Sequence, residues 1–191
     1  MKRLFYTLAL AALVSCTAWN QVKLLSVSDF ETVVDGKEVT LYTLKNADLV
    51  MQVTNFGARV VSLWTPDRNG NYEDIVLGYD NIDKYINNPG ERFLGAVVGP
   101  YANRIAGGTY TICNETYTFP QNNNGQTLHG GLKGLDMVVW DVFAADDSTL
   151  VLSYTHPDGH EGMPGNLEIF MTYTLTSSNE FKVEYLAQRS E

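Results

Sequence analysis

Alternating apolar and polar positions dominate the chain and predict strands along most of its length. Leu24 to Val27, Val39 to Leu44, Leu49 to Thr54 and Arg59 to Thr65 are β-rich runs. Leu49, Met51 and Val53 fall at alternate positions, and Val61 and Leu63 flank Ser62, the pattern of half-buried strands. Asn55-Phe56-Gly57 separates two runs as a turn, and Asp35-Gly36 and Asn69-Gly70 mark others. Thr109 to Cys113 and Thr116 to Phe119, joined through Asn114-Glu115, predict a hairpin. After Trp140, strands resume at Val142 to Ala144, Thr149 to Thr155, Leu167 to Leu175 and Phe181 to Leu186. Short strands at this spacing predict an all-β sandwich. No long stretch has a helical period, and no internal repeat, phosphate-cradling glycine loop or heptad seam is present. Asp83 to Phe93, broken by Asn87-Asn88-Pro89-Gly90, is the least regular segment and reads as a surface connection in preference to a lid.

The first residues follow another pattern. Lys2 and Arg3 precede an almost wholly apolar Leu4 to Val14, which reads as a secretory signal, too short to span a membrane as a mature helix. Leu13-Val14-Ser15-Cys16 resembles a bacterial lipobox, whose cysteine becomes the lipidated first residue; soluble secretion with cleavage after Ala18 is the alternative. The expected organisation is a signal at 1–15, a short linker at 16–22 and one sandwich domain over 23–191. The expected location is the bacterial cell envelope, as a periplasmic or outer-membrane lipoprotein, or outside the cell if Cys16 carries no lipid. Either route leaves Cys113 unpaired, so the two cysteines imply no disulfide framework. Cys113 lies in a β-run with no evident base and reads as a small packed side chain.

Charge narrows the partners. The chain carries a formal charge of −9, and removing residues 1–15 takes Lys2 and Arg3 with it, leaving about −11. That balance disfavours nucleic acid and anionic membrane, so membrane contact is expected only through Cys16. It also weakens the case for a phosphorylated substrate. A mature length of about 175 residues suffices for one domain with a real core.

The candidate chemistry sits between Gly99 and Gly134. Gly99-Pro100-Tyr101-Ala102-Asn103-Arg104-Ile105 precedes the hairpin, and Leu128-His129-Gly130-Gly131 follows it. A hairpin returns the chain to its starting end and so brings Asn103 and Arg104 towards His129. Asn103 and Arg104 form a fork of donors plus one acceptor, and His129 can give or take a proton near neutral pH. Together they suit a polyhydroxylated ligand; singly, each is as well explained as a surface pair or a structural histidine. His156 and His160, four apart, could join His129 on a metal, but Pro157-Asp158-Gly159 interrupts the spacing, and a glycine-rich turn with exposed histidines is the simpler reading.

These motifs resemble the aldose 1-epimerase, or galactose mutarotase, family. The resemblance rests on Gly-x-Tyr-Ala-Asn-Arg-Ile-Ala-x-Gly, the Asn122 to Asn124 step, and Leu-His-Gly-Gly-x-x-Gly followed by Trp140. It extends through Asn55 to Ala58, Pro66 to Gly70, Val76 to Asp80 and Pro157 to Gly165, covering nearly everything after about residue 22. It implies a galactose-mutarotase-like β-sandwich that interconverts the α and β anomers of aldohexoses such as galactose or glucose, with no cofactor and no metal. A base takes the anomeric hydroxyl proton while an acid protonates the ring oxygen; the ring opens, turns and closes on the other face. Asn103 and Arg104 would bind sugar hydroxyls, and His129 would bind and polarise the sugar near its reacting oxygens. Gly130 and Gly131 would let the backbone approach.

Two departures qualify this. Gly99-Pro100 stands where the family commonly has Gly-Arg, which alters the rim of the site. The family's second histidine, its general acid, and its glutamate base lie beyond a strand like Val183 to Ala187, so the domain is expected to be truncated on its C-terminal side, with little activity of its own. A noncatalytic carbohydrate-binding sandwich needs no such base, and an interaction module displayed by a lipoprotein is a third possibility. Oligomeric state stays open.

Overall fold

The computed structural model describes residues 21–87 and 90–189. The expected signal at 1–15, Cys16 and Asn88-Pro89 lie outside them. β1 (Thr32–Val34) and β2 (Lys37–Val39) form a hairpin about Asp35-Gly36. An antiparallel sheet follows, of β3 (Leu41–Lys45), β4 (Val50–Thr54), β5 (Arg59–Pro66) and β6 (Tyr72–Asp74), paired in that order. After helix α1 (Ile82–Asn87), the short strand β7 (Arg104–Ile105), the hairpin of β8 (Thr109–Ile112) and β9 (Glu115–Thr118), and β10 (Thr127–Leu128) lead to the second sheet. That sheet is β11 (Asp141–Ala145), β12 (Thr149–His156), β13 (Leu167–Leu175) and β14 (Phe181–Arg189), again antiparallel in sequence order.

The two sheets share one apolar cluster. Leu44, Met51, Val53 and Leu63 meet Leu150, Leu152, Ile169, Met171 and Tyr173 around Trp140. Each such side chain contributes about 1.5–3 kcal/mol by leaving water. A second cluster, with Phe30, Val39, Leu41, Phe56, Val61, Ile82, Tyr85 and Val139, draws on the first sheet, the N-terminal segment and α1. The first sheet is thus covered on both faces, and β4 is buried along its whole length where alternation predicts a half-buried strand. Gln52, on the face expected to meet solvent, is 1% exposed. Its amide accepts the Leu25 N–H at 2.9 Å and donates to the Leu25 carbonyl at 3.1 Å.

That pairing explains one correction. Leu24 to Val27 is no strand: a side-chain amide satisfies the backbone of Leu25, and Val27–Asp29 turns into a 3₁₀ helix. The run Val39 to Leu44 is divided at Thr40, whose N–H goes to Asn55 Oδ1 at 2.9 Å and not to a ladder. The irregular segment after Asp83 begins within α1, which Ile82 and Tyr85 anchor by burial. The hairpin turn moves back one residue. Ile112 pairs with Glu115, so Cys113 and Asn114 make the turn, with φ of 52° and 65°. Positive φ at both central positions matches the twist of the strands. Cys113 is therefore exposed in a turn and is not a packed strand residue.

β14 is exposed beyond Phe181, and its outer edge has no strand partner among the described residues. Val183, Tyr185 and Leu186 stand in solvent there.

Candidate functional site

β7 and β10 pair antiparallel, Leu128 against Arg104 and Thr127 against Ile105, with the hairpin lying between them in the chain. Just beyond this pair Asn103 and His129 are locked reciprocally. The His129 N–H donates to the Asn103 carbonyl at 2.9 Å, and the Asn103 N–H donates to His129 Nδ1 at 3.0 Å. Both residues adopt positive φ, 62° and 52°, which the lock holds in place. Because Nδ1 accepts, the neutral imidazole carries its proton on Nε2. Nε2 has no hydrogen-bond partner among the described residues, which leaves its N–H as a free donor. Phe93 meets the ring edge-on, centroids 4.7 Å apart. Arg104 donates through Nε to Asn123 Oδ1 at 3.1 Å and through Nη1 to Asn103 Oδ1 at 3.3 Å, which orients an exposed guanidinium.

The Leu128 to Gly131 turn is supported from below. Asn122 accepts the Leu128 N–H at 2.7 Å and donates to the Leu128 and Gly131 carbonyls at 3.0 and 2.8 Å. Arg92 donates to the Gly131 carbonyl at 3.3 Å and grips Asp136 with two bonds of 2.6 and 2.9 Å. Arg59, wholly buried, donates to the carbonyls of Asp136, Arg92 and Leu94. Burial pulls its pKa down, and the Asp136 charge opposes that. Its guanidinium also sits 5.1 Å from the centre of the Tyr85 ring. A buried ion network thus holds the turn that carries His129.

The sequence-predicted trio Asn103, Arg104 and His129 is brought together, by the hairpin return and by a short β-ladder the sequence reading missed. Arg59, Phe93, Arg92 and Asp136 were not anticipated. A signal existed: Arg59 stands in Ala58-Arg59-Val60-Val61 and Asp136 in Leu135-Asp136-Met137-Val138, lone charges in apolar runs. Such charges must be paired if they are buried.

His156 corrects the expectation of exposed histidines. It ends β12 at 2% exposure, with Nε2 unpartnered, while its ring meets His160 at 5.0 Å. His160 is itself held by a bond from Nε2 to the Lys133 carbonyl at 2.8 Å. Among the described residues no three His, Cys, Asp or Glu side chains converge as a metal site. Burial first, and His160 second, lower the His156 pKa from 6.5 to about 4. The unfolded chain therefore takes up a proton that the fold refuses. Stability is full above pH 6.5 and declines as pH falls towards 4, by up to about 3 kcal/mol from this group. Urea midpoints measured from pH 7 to pH 4 should fall, and His156→Phe should flatten the slope.

The aldose 1-epimerase family profile matches residues 40–191. Over 153 residues the chain is 37% identical to galactose mutarotase of Bos taurus, covering 80% of this chain and 44% of that protein. Aldose 1-epimerase of Escherichia coli K12 is 34% identical over 154 residues, with the same coverage. The solved structure of a GalM/aldose epimerase homologue from C. elegans superposes with a TM-score of 0.76 at 31% identity, covering 80% of this chain and 46% of its own. Galactose 1-epimerase from Lactobacillus acidophilus gives 0.72 at 29% identity, covering 84% and 47%. The chain spans about 44% of the length of the curated relatives it matches. On sequence and on its all-β architecture alike, the chain belongs to the aldose 1-epimerase family.

Proposed function

We propose that this chain supplies the sugar-holding part of an aldose 1-epimerase, acting on aldohexoses such as galactose or glucose. The observation that carries the reading is the reciprocal Asn103–His129 lock, which fixes the ring with a free Nε2–H donor next to Arg104, itself oriented by Asn103 and Asn123. A donor so placed binds a sugar oxygen and draws charge from it. In anomer interconversion the ring oxygen gains electron density as its bond to the anomeric carbon breaks, so a fixed donor there favours the ring-opened path. Arg104 and the Asn103 amide would hold neighbouring hydroxyls.

Two measurements test this. In an NMR titration with galactose, amide shifts should centre on residues 102–104 and 128–131, and His129→Ala should weaken binding by up to about tenfold, the loss of one hydrogen bond. Polarimetry of freshly dissolved α-galactose should then show little acceleration, because Asn103, Arg104 and His129 supply binding groups and one fixed donor but no paired acid and base. Strong acceleration that His129→Ala abolishes would add catalysis to the sugar-holding role. Titration without shifts at these residues would sink the site altogether.

A further inference from the structure

The loop between β12 and β13 supplies none of Asn103, Arg104 and His129, yet two of its residues in succession reach the turn that carries His129. Glu161 Oε2 accepts the Leu132 N–H at 2.7 Å, and His160 Nε2 donates to the Lys133 carbonyl at 2.8 Å. We propose that Glu161 is a positioning residue for the sugar site: its carboxylate sets the tilt of the Gly131–Leu132 peptide and, through it, the place of the His129 ring. The inference rests on the sugar reading of that turn.

The backbone of Glu161 is the first observation. Its φ of 49° and ψ of 24° lie in the left-handed region, which a residue with a Cβ seldom adopts. Gly159 and Gly162 nearby have φ of 74° and 82°, where a glycine is unstrained. On backbone grounds alone, a third glycine would suit position 161 better than a glutamate. Strained residues of this kind persist where their surroundings hold them, and they gather at functional sites. The loop has such a hold. Gly162 lies so close to the hairpin that a Cβ would overlap the Thr118 carbonyl, and the Gly159 N–H donates to the Met163 carbonyl at 2.8 Å across the loop.

The second observation is what the carboxylate touches. A Cβ on Gly131 would overlap Glu161 Oε2, so that glycine leaves the room the carboxylate fills. Glu161 makes no ion pair among the described residues. Leu132 is 63% exposed, so water would satisfy its N–H equally well, and the bond from Glu161 rescues no buried donor. What it does is fix a plane. The Gly131 carbonyl and the Leu132 N–H belong to one planar peptide unit, and the carbonyl end is already held by Asn122 at 2.8 Å and Arg92 at 3.3 Å. Glu161 pins the opposite end. The Gly131 N–H in turn donates to the Leu128 carbonyl at 3.1 Å, closing the turn over His129, so a tilt of this peptide passes to the residue that carries the imidazole. Binding groups have to be held to about 0.5 Å, which makes such support part of the site.

Three variants test the role. Glu161→Gly removes the carboxylate and relieves the left-handed strain, Glu161→Gln keeps an oxygen for the Leu132 N–H, and Gly159→Ala strains the same loop where a Cβ meets open space. In NMR titrations, galactose affinity should fall about fivefold with Glu161→Gly while the urea midpoint holds or rises, and Glu161→Gln should bring it back to within about twofold of wild type. Gly159→Ala should lower the midpoint and leave affinity alone. In the ligand-free protein, Glu161→Gly should shift the His129 imidazole signals as well as the Leu132 amide. Unchanged affinity in Glu161→Gly, a Glu161→Gln variant equally weak, or affinities that simply follow the urea midpoints overturn the role. If the wild type binds no galactose, the sugar reading fails on its own and the ligand-free spectra decide: His129 signals that move with Glu161→Gly support the positioning, and signals that stay in place overturn it.

Discussion

Asp136→Ala is expected to cost about 3–5 kcal/mol, seen as a lowered urea midpoint, the range for breaking a buried ion pair from one side. Asp136 is wholly buried and takes two charge-assisted bonds from Arg92, with Arg59 Nη2 3.7 Å from the same carboxylate. Without it, the guanidinium of Arg59 stays in the core facing only carbonyl oxygens and rings. Arg59→Met combined with Asp136→Leu should cost less than the two single changes added together, because an apolar filling removes the uncompensated charge. A loss below about 1 kcal/mol for Asp136→Ala would mean that water reaches Arg59 and the network holds little. The change should also weaken galactose binding, since Arg92 would lose the carboxylate that aims it at the Gly131 carbonyl.

How far the sequence disclosed this molecule depended on whether the deciding contacts were local. Strands such as β12 and β13 were legible because Leu150 and Leu152, and Ile169, Met171, Tyr173 and Leu175, alternate with less buried neighbours. β4 was placed but misjudged, since the cover on its second face comes from residues far away in sequence. Leu24 to Val27 failed as a strand for the same reason: Gln52, 27 residues away, captured the backbone of Leu25. The hairpin slipped by one residue because Asn114-Glu115 is a weak turn signal, while Cys113 seldom marks positive φ. For the site, the Asn-Arg and His-Gly-Gly motifs and the hairpin between them were enough to bring Asn103, Arg104 and His129 together. The scaffold beneath them was hidden, because Arg59 pairs with a residue 77 positions on and Arg92 with one 44 positions on. A composition that is 18% charged gives no hint which charges are buried.

Gly130→Ala should be the most damaging single methyl in the chain, and the comparison with Gly159→Ala shows why. Both glycines have positive φ, 90° and 74°, where an alanine is strained by about 1–2 kcal/mol. A Cβ at Gly159 meets open space, so strain is the whole cost. At Gly130 the added carbon would overlap the Gly99 carbonyl oxygen, which also accepts the Leu135 N–H at 3.1 Å. Two backbone segments would have to part, and one of them carries His129. The expected loss is about 4 kcal/mol or more in urea unfolding against about 1–2 for Gly159→Ala. Galactose binding should fall at least tenfold with Gly130→Ala and stay unchanged with Gly159→Ala. If the two variants proved equally stable, strain would be the only cost at either site and the close approach of Gly130 to Gly99 would be wrong. If Gly130→Ala lost stability yet kept full galactose affinity, the turn would be structural, and the sugar would have to be held without the geometry that the Asn103–His129 lock imposes.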